Sequence, residues 1–214
     1  MGKEVDLKKG ELSRHVNKAL KAISDGYIIA IPLEHSYAFV CDAFKHDSVR
    51  AMNVLHGSPL FTSAQVLVGS AKTAQGVVRE ITPEISALMK KFWPGLLSLN
   101  LKPQLGLSWD LGDANQLDRI SIRTPKSTFA KALLAKSGPL AVTSGSRIGM
   151  PAPKELSDIF VLHSDLAFQF NGGKLRQGAS TTVVEADSQG VRVLRVGAIS
   201  LAEIQAIAPS ARLI

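Results

Sequence analysis

The chain has 214 residues, 45% of them hydrophobic, which is enough to bury one sizeable core and short for two. Lys and Arg number 25 against 18 Asp and Glu, a net charge of +7. That balance favours polyanions such as RNA or anionic substrates such as ATP, and it equally describes a cationic soluble surface, since no dense basic block occurs. The single cysteine, Cys41, excludes an internal disulfide and a multi-cysteine metal cage. No apolar run reaches the roughly 18 residues of a membrane span, and the polar start MGKEVDLKKGELSRHV lacks the apolar region of a secretory signal, so a soluble, cytoplasmic protein is expected.

Residues 11–25, ELSRHVNKALKAISD, set Leu12, Val16, Ala19, Leu20 and Ile23 on one helical stripe, with Gly26 as the stop. YIIAIP is an apolar, β-favouring run closed by Pro32, and predicts a strand buried on both faces. Segment 36–43, SYAFVCDA, predicts a second strand, and HDSVRAMNVLHG a helix with Asp47 or Ser48 near its N-cap and Gly57 beyond its end. AQVLV at 64–68 is a third strand. TPEISALMKKFWPG carries the strongest helix signal: Thr82 caps it, Pro83 takes the first helical position and Pro94-Gly95 ends it.

LLSLNLK alternates as a strand, 103–118 reads as loop, and RISIRTP alternates as a strand up to Pro125. KSTFAKALLAKSG is a helix with a glycine stop, and PLAVTS at 139–144 a buried strand running into the turn GSRIG. KELSDIFVLH suggests a short helix and 166–170 an edge strand. STTVVEA and VRVLRVG pair across the turn DSQG, and SLAEIQAIAP closes as a helix. Strands alternating with helices, with hairpins among them, predict one α/β domain: an open, mixed sheet with flanking helices.

Phosphate-loop, dinucleotide, zinc-helix and nucleophile-elbow signatures are all missing. The remaining candidates are strand ends, because ligands of open α/β sheets bind outside the carboxyl ends of strands. Thr143, Ser144 and Ser146 fit that place, either as hydroxyls and turn N–H groups facing an anion or as a polar turn satisfying its own backbone. Arg123 and Arg195 lie in otherwise apolar strands; each meets a carboxylate or a phosphate, or faces outward from a half-exposed strand. Glu34, His35, Ser36 and Tyr37 cluster after Pro32, suited to acid–base or recognition work. His56, Glu34 and Asp42 complete no metal set, and Cys41 among apolar neighbours reads as a small buried hydrophobe.

In order, IAIPLEHSYAFVCDA, FWPGLLSLNL, ISIRTP, GPLAVTSGS, STTVVEA and VLRVGAIS resemble six segments of the YrdC-like family, over about residues 12–204. Its best-known members are L-threonylcarbamoyl-AMP synthases of tRNA threonylcarbamoyladenosine formation. The resemblance implies a twisted mixed sheet around a concave basic surface, where ATP, L-threonine and bicarbonate meet, with Mg²⁺ accompanying the nucleotide and tRNA or double-stranded RNA as a possible partner. It places Tyr37, Arg123, Thr143, Ser144, Thr182 and Arg195 at the binding surface, where Ser146 joins them as a strand-end hydroxyl.

The chain also departs from the family. K-x-R-P followed by K-P becomes His56-Gly57-Ser58-Pro59 and then Thr62-Ser63, T-D-T becomes Leu33-Glu34-His35, T-S-A-N becomes Thr143-Ser144-Gly145-Ser146, and Ser127 stands where many synthases place histidine. Three readings follow: a synthase whose phosphate contacts are rebuilt from Arg147, Lys174 or Arg176, a non-catalytic paralogue that binds RNA or nucleotide, and a partner subunit of a complex.

Overall fold

The computed structural model describes residues 3–114, 116, 118–161 and 165–214. The strands are β1 (Lys3–Asp6), β2 (Ile29–Pro32), β3 (Tyr37–Asp42), β4 (Gln65–Leu67), β5 (Leu97–Leu101), β6 (Ile120–Arg123), β7 (Leu140–Ser144), β8 (Phe168–Asn171), β9 (Thr182–Asp187), β10 (Gly190–Arg195) and β11 (Arg212–Leu213). The helices are α1 (Leu12–Ser24), α2 (His46–His56), α3 (Ala71–Gln75), α4 (Pro83–Phe92), α5 (Thr128–Ser137) and α6 (Leu201–Gln205). All these strands join one sheet in the order β1-β8-β2-β3-β7-β4-β6-β5-β9-β10-β11. It is mixed: β2–β3, β3–β7 and β9–β10 are antiparallel, while β2–β8, β4–β6 and β5–β9 are parallel.

Local chemistry explains most boundaries. Thr82 accepts the Ile85 N–H and Pro83 opens α4, as the sequence predicts. Gly57 ends α2 at φ +72°, a left-handed conformation that glycine adopts without a Cβ clash. Three expectations change. The N-cap of α2 is Lys45, without a side-chain bond; Ser48 instead donates to Gly26 O, holding α2 against the end of α1. The strand expected at 166–170 is β8, which is not an edge, because β1 lies outside it and buries Val5. The helix expected in KELSDIFVLH is a single 3-10 turn at Leu156–Asp158; residues 162–164 lie outside the described residues.

Side chains alternate across a strand, so the sheet has two faces. One carries Phe39, Val66, Leu99, Ile122 and Val184, covered by α2, α4 and the loop around residues 107–111 through Met52, Leu88, Trp109 and Leu111. The other carries Ile29, Ile31, Ala38, Val40, Leu67 and Val142, covered by α1 and α5 through Val16, Ile23 and Leu133. No residue of β5, β6, β9 or β10 joins this second cluster. On those strands the positions facing that way are mostly polar, Val183 being an exception: Arg123 lies opposite Leu67, and Asn100 lies opposite Ser121 and Glu185. The helices therefore cover half of one face and leave a polar floor open beside them.

Candidate functional site

A cleft of about 490 Å³ lies over this floor. One wall is the β2–β3 turn, closed by the Leu33 N–H to Ser36 O, which presents Glu34 and His35. A second is the carboxyl end of β7 with Thr143 and Ser144, and a third is the strap 178–181 leading into β9. Gln65 forms part of the floor; its amide donates to Ser98 Oγ at 2.9 Å and Ser121 Oγ at 3.0 Å.

Of the residues singled out from the sequence, Glu34, His35, Ser36, Arg123, Thr143, Ser144 and Arg195 line this cleft together. The two arginines differ. Arg123 is buried, and its Nη1 donates to Glu34 Oε2 at 3.0 Å and to Gly95 O at 3.3 Å, while Glu34 Oε1 accepts the Lys126 N–H. A carboxylate of the chain itself thus satisfies the demand for an anion that a buried guanidinium makes. Arg195 is exposed and donates only to the Thr181 carbonyl and hydroxyl, so among the described residues it has no carboxylate partner and is the open cation of the cleft. Among the described residues the buried Thr143 Oγ1 has no hydrogen-bond partner, nor has Arg123 Nε. Unsatisfied buried donors beside a cleft are groups that a polar ligand or water can satisfy.

The other singled-out residues build rather than line the cleft. Tyr37 faces the core; its hydroxyl donates to Gly173 O at 2.7 Å and accepts the Gly172 N–H at 3.0 Å, and burial raises its pKa. Thr182 is fully buried, with Oγ1 donating to Ile199 O and accepting the N–H groups of Gly197 and Ile199. Tyr37 and Thr182 therefore fasten the two ends of the 172–181 strap. His35 fastens its middle, donating from Nδ1 to Arg176 O at 3.2 Å with its ring so close over Gly178 that a Cβ there would collide.

Ser146 lies behind Ser144, the two hydroxyls 2.9 Å apart, and His56 Nδ1 donates to Ser146 O. Ser58 sits in the turn after α2, its N–H on Asn53 O, and neither it nor His56 reaches the cleft. Ser127 caps α5, accepting the Ala130 N–H and donating to Pro32 O. Arg147, Lys174 and Arg176 do not line the cleft either: Arg147 borders a neighbouring pocket and Lys174 pairs with Glu155. Burial pushes the Cys41 thiol up to about 12, which leaves it protonated and unreactive.

Gln65 is a lining residue that sequence reading missed, as are Ser180 and Thr181 of the strap. The signal was present: Gln65, Ser98 and Ser121 are polar side chains at alternating positions in otherwise apolar strands, and that pattern marks a sheet face left uncovered. A protein-held metal does not fit. Among the described residues no three His, Cys, Asp or Glu side chains converge, and the only carboxylate lining the cleft, Glu34, has both oxygens engaged.

Comparison with known proteins gives the cleft a context. The model of the Sua5/YciO/YrdC family, described as telomere recombination, matches residues 21–197. A Mycobacterium tuberculosis protein provisionally named threonylcarbamoyl-AMP synthase is 33% identical over 193 residues, covering 90% of this chain and 88% of the relative. The Pyrococcus abyssi threonylcarbamoyl-AMP synthase is 26% identical over 187 residues, 86% of this chain but 54% of its own length. Among solved structures, P. abyssi Sua5 complexed with L-threonine superimposes with a TM-score of 0.87 at 24% identity, over all of this chain and 62% of that one. Escherichia coli YciO gives 0.80 at 20% identity, over 95% and 98% of the two chains.

Proposed function

The chain belongs to the Sua5/YciO/YrdC family, and we propose that its cleft forms L-threonylcarbamoyl-adenylate from ATP, L-threonine and bicarbonate. In this reaction the threonine amine and bicarbonate give a carbamate and water. A carbamate oxygen then attacks the α-phosphorus, and the bond to the leaving pyrophosphate breaks. The observation that carries the reading is the convergence of one open cation, Arg195, with the unpartnered Thr143 hydroxyl over a polar floor. Arg195 supplies fixed N–H groups to a phosphate, a charge-assisted contact worth about 1.5–3 kcal/mol. Thr143 and Ser144 supply hydroxyls to the amino acid or ribose. The identity to the M. tuberculosis relative over nine-tenths of this chain supports the assignment, as does the L-threonine complex of a fold neighbour. Mg²⁺ in this reading arrives on the nucleotide phosphates as their counter-ion, not as a resident of the protein.

The buried Glu34–Arg123 pair favours a second reading, in which the cleft binds an adenylate without turning over ATP. One arginine is already neutralised and His56 and Ser58 lie outside the cleft, which leaves few cations for a triphosphate. In both readings the net charge of +7 supports an RNA partner, such as the tRNA whose modification the product feeds. Pyrophosphate release separates the two: the synthase reading requires release that depends strictly on L-threonine, and its absence under conditions where AMP still binds leaves the binding reading alone.

A further inference from the structure

A concentration of positive charge lies outside the cleft, on the outer face of α1 and α5. Their sequences, LSRHVNKALKAIS and TFAKALLAKS, carry Arg14, Lys18, Lys21, Lys131 and Lys136 and no Asp or Glu. All five cations are exposed, opposite the buried stripes of Val16, Ala19, Ile23, Phe129 and Leu133. Lys136 Nζ reaches Asn17 Oδ1 at 2.9 Å, which draws the α5 charges onto the α1 row. Acids flank the ends of α1, where Glu11 pairs with Arg14 and Asp25 with Lys21. Lys18, Lys131 and Lys136 have no carboxylate partner among the described residues.

This distribution is not what helix stability asks for. Arg14 with Lys18 and Lys18 with Lys21 are like charges at i,i+4 and i,i+3, which weaken a helix. A surface that serves solubility alone interleaves both signs. Along α1 the three cations span about 10 Å, a row suited to consecutive phosphates.

Beside this row runs a groove of about 640 Å³ lined by Lys3, Lys18, Tyr27 and Phe168, with Lys21 and Asp25 paired at its rim. Tyr27 is 58% exposed, and Lys18 Nζ stands 5.4 Å over the Phe168 ring. Cations for phosphates beside rings for bases is the combination that unpaired nucleotides require. A membrane surface needs a strip of large apolar side chains to insert, and on these two helices only Leu12 is an exposed large hydrophobic.

We propose that the outer face of α1 and α5 docks structured RNA through its phosphates, with one unpaired base stacked in the groove between Tyr27 and Phe168. The inference rests on the RNA reading above and adds the surface that reading lacks.

The test is fluorescence anisotropy with a labelled tRNA transcript across about 50 to 200 mM salt. The inference predicts steep salt dependence for the wild type. The triple variant Arg14→Gln/Lys18→Gln/Lys131→Gln is expected to bind about tenfold to a hundredfold more weakly at the low-salt end and with a flatter salt slope. Lys18→Arg/Lys131→Arg keeps the charge and is expected to bind as the wild type, which separates charge from folding. Arg195→Ala, in the cleft, is expected to leave tRNA affinity unchanged. Wild-type binding that the triple variant retains overturns the face and spares the RNA reading. No wild-type binding overturns both. Wild-type capture by phosphatidylcholine–phosphatidylserine vesicles without RNA binding, lost in the triple variant, reassigns the face to lipid and overturns the inference.

Discussion

The Glu34 carboxylate closes on the Arg123 guanidinium at 3.0 Å and takes the Lys126 N–H on its other oxygen, so a residue of the β2–β3 turn neutralises the cation at the end of β6. Both side chains are nearly buried, at 10% and 5% exposure. Removing one member leaves the other charge uncompensated, which costs about 3 kcal/mol or more. Glu34→Gln is expected to lose stability of that order in urea denaturation. The freed Arg123 is expected at the same time to tighten AMP binding by about tenfold or more, read by calorimetry. A variant with lower stability and unchanged AMP affinity would place the nucleotide away from Arg123.

Thr143 gives the opposite balance. Its buried hydroxyl has no partner among the described residues, and such a group costs about 1–3 kcal/mol of desolvation. Thr143→Val is expected to keep or slightly raise the melting temperature while weakening ligand binding. Loss of stability with ligand binding intact would show that the hydroxyl serves the fold.

Tyr37→Phe removes one hydroxyl that both donates to Gly173 O and accepts the Gly172 N–H. The expected cost is about 1–2 kcal/mol, together with faster amide exchange confined to the 172–181 strap. Exchange spread evenly over the sheet would mean that Tyr37 supports the core and not the strap.

These residues also show how much the sequence makes legible. Apolar runs, Pro32, Thr82-Pro83 and the turn glycines announce the elements because their causes are local. The partners of Arg123 and the role of Tyr37 do not show, because Glu34 lies 89 positions from Arg123 and Gly173 lies 136 from Tyr37, and only the folded sheet brings them together. β1 escaped notice because four residues with a single buried side chain, Val5, carry no periodic signal. The family resemblance points to Tyr37 and Thr182 as cleft residues, yet in the fold they act as braces: the hydrogen of each hydroxyl is given to a backbone carbonyl, and Thr182 Oγ1 also accepts two N–H groups.

Acid stability follows from the far end of the open face. Hydrogen bonds from Arg192 and then Arg119, at 2.7 and 2.9 Å, hold the Asp187 carboxyl below its ordinary value, although burial opposes this. A folded-state pKa below the unfolded value of about 3.9 means the contribution is complete above that pH and lost as pH falls below it. Urea midpoints are expected to hold between about pH 7 and 5 and to drop as pH falls below about 4. In Asp187→Asn that part of the drop is expected to vanish, from a lower starting stability.

The central claim concerns what the cleft makes. Purified protein with ATP, L-threonine and ¹³C-bicarbonate, read by mass spectrometry, is predicted to yield an adenylate carrying both threonine and the labelled carbon, and Arg195→Ala is predicted to abolish it while melting as the wild type does. An unlabelled or threonine-independent product, or none from folded wild-type protein that binds AMP, would contradict the synthase reading.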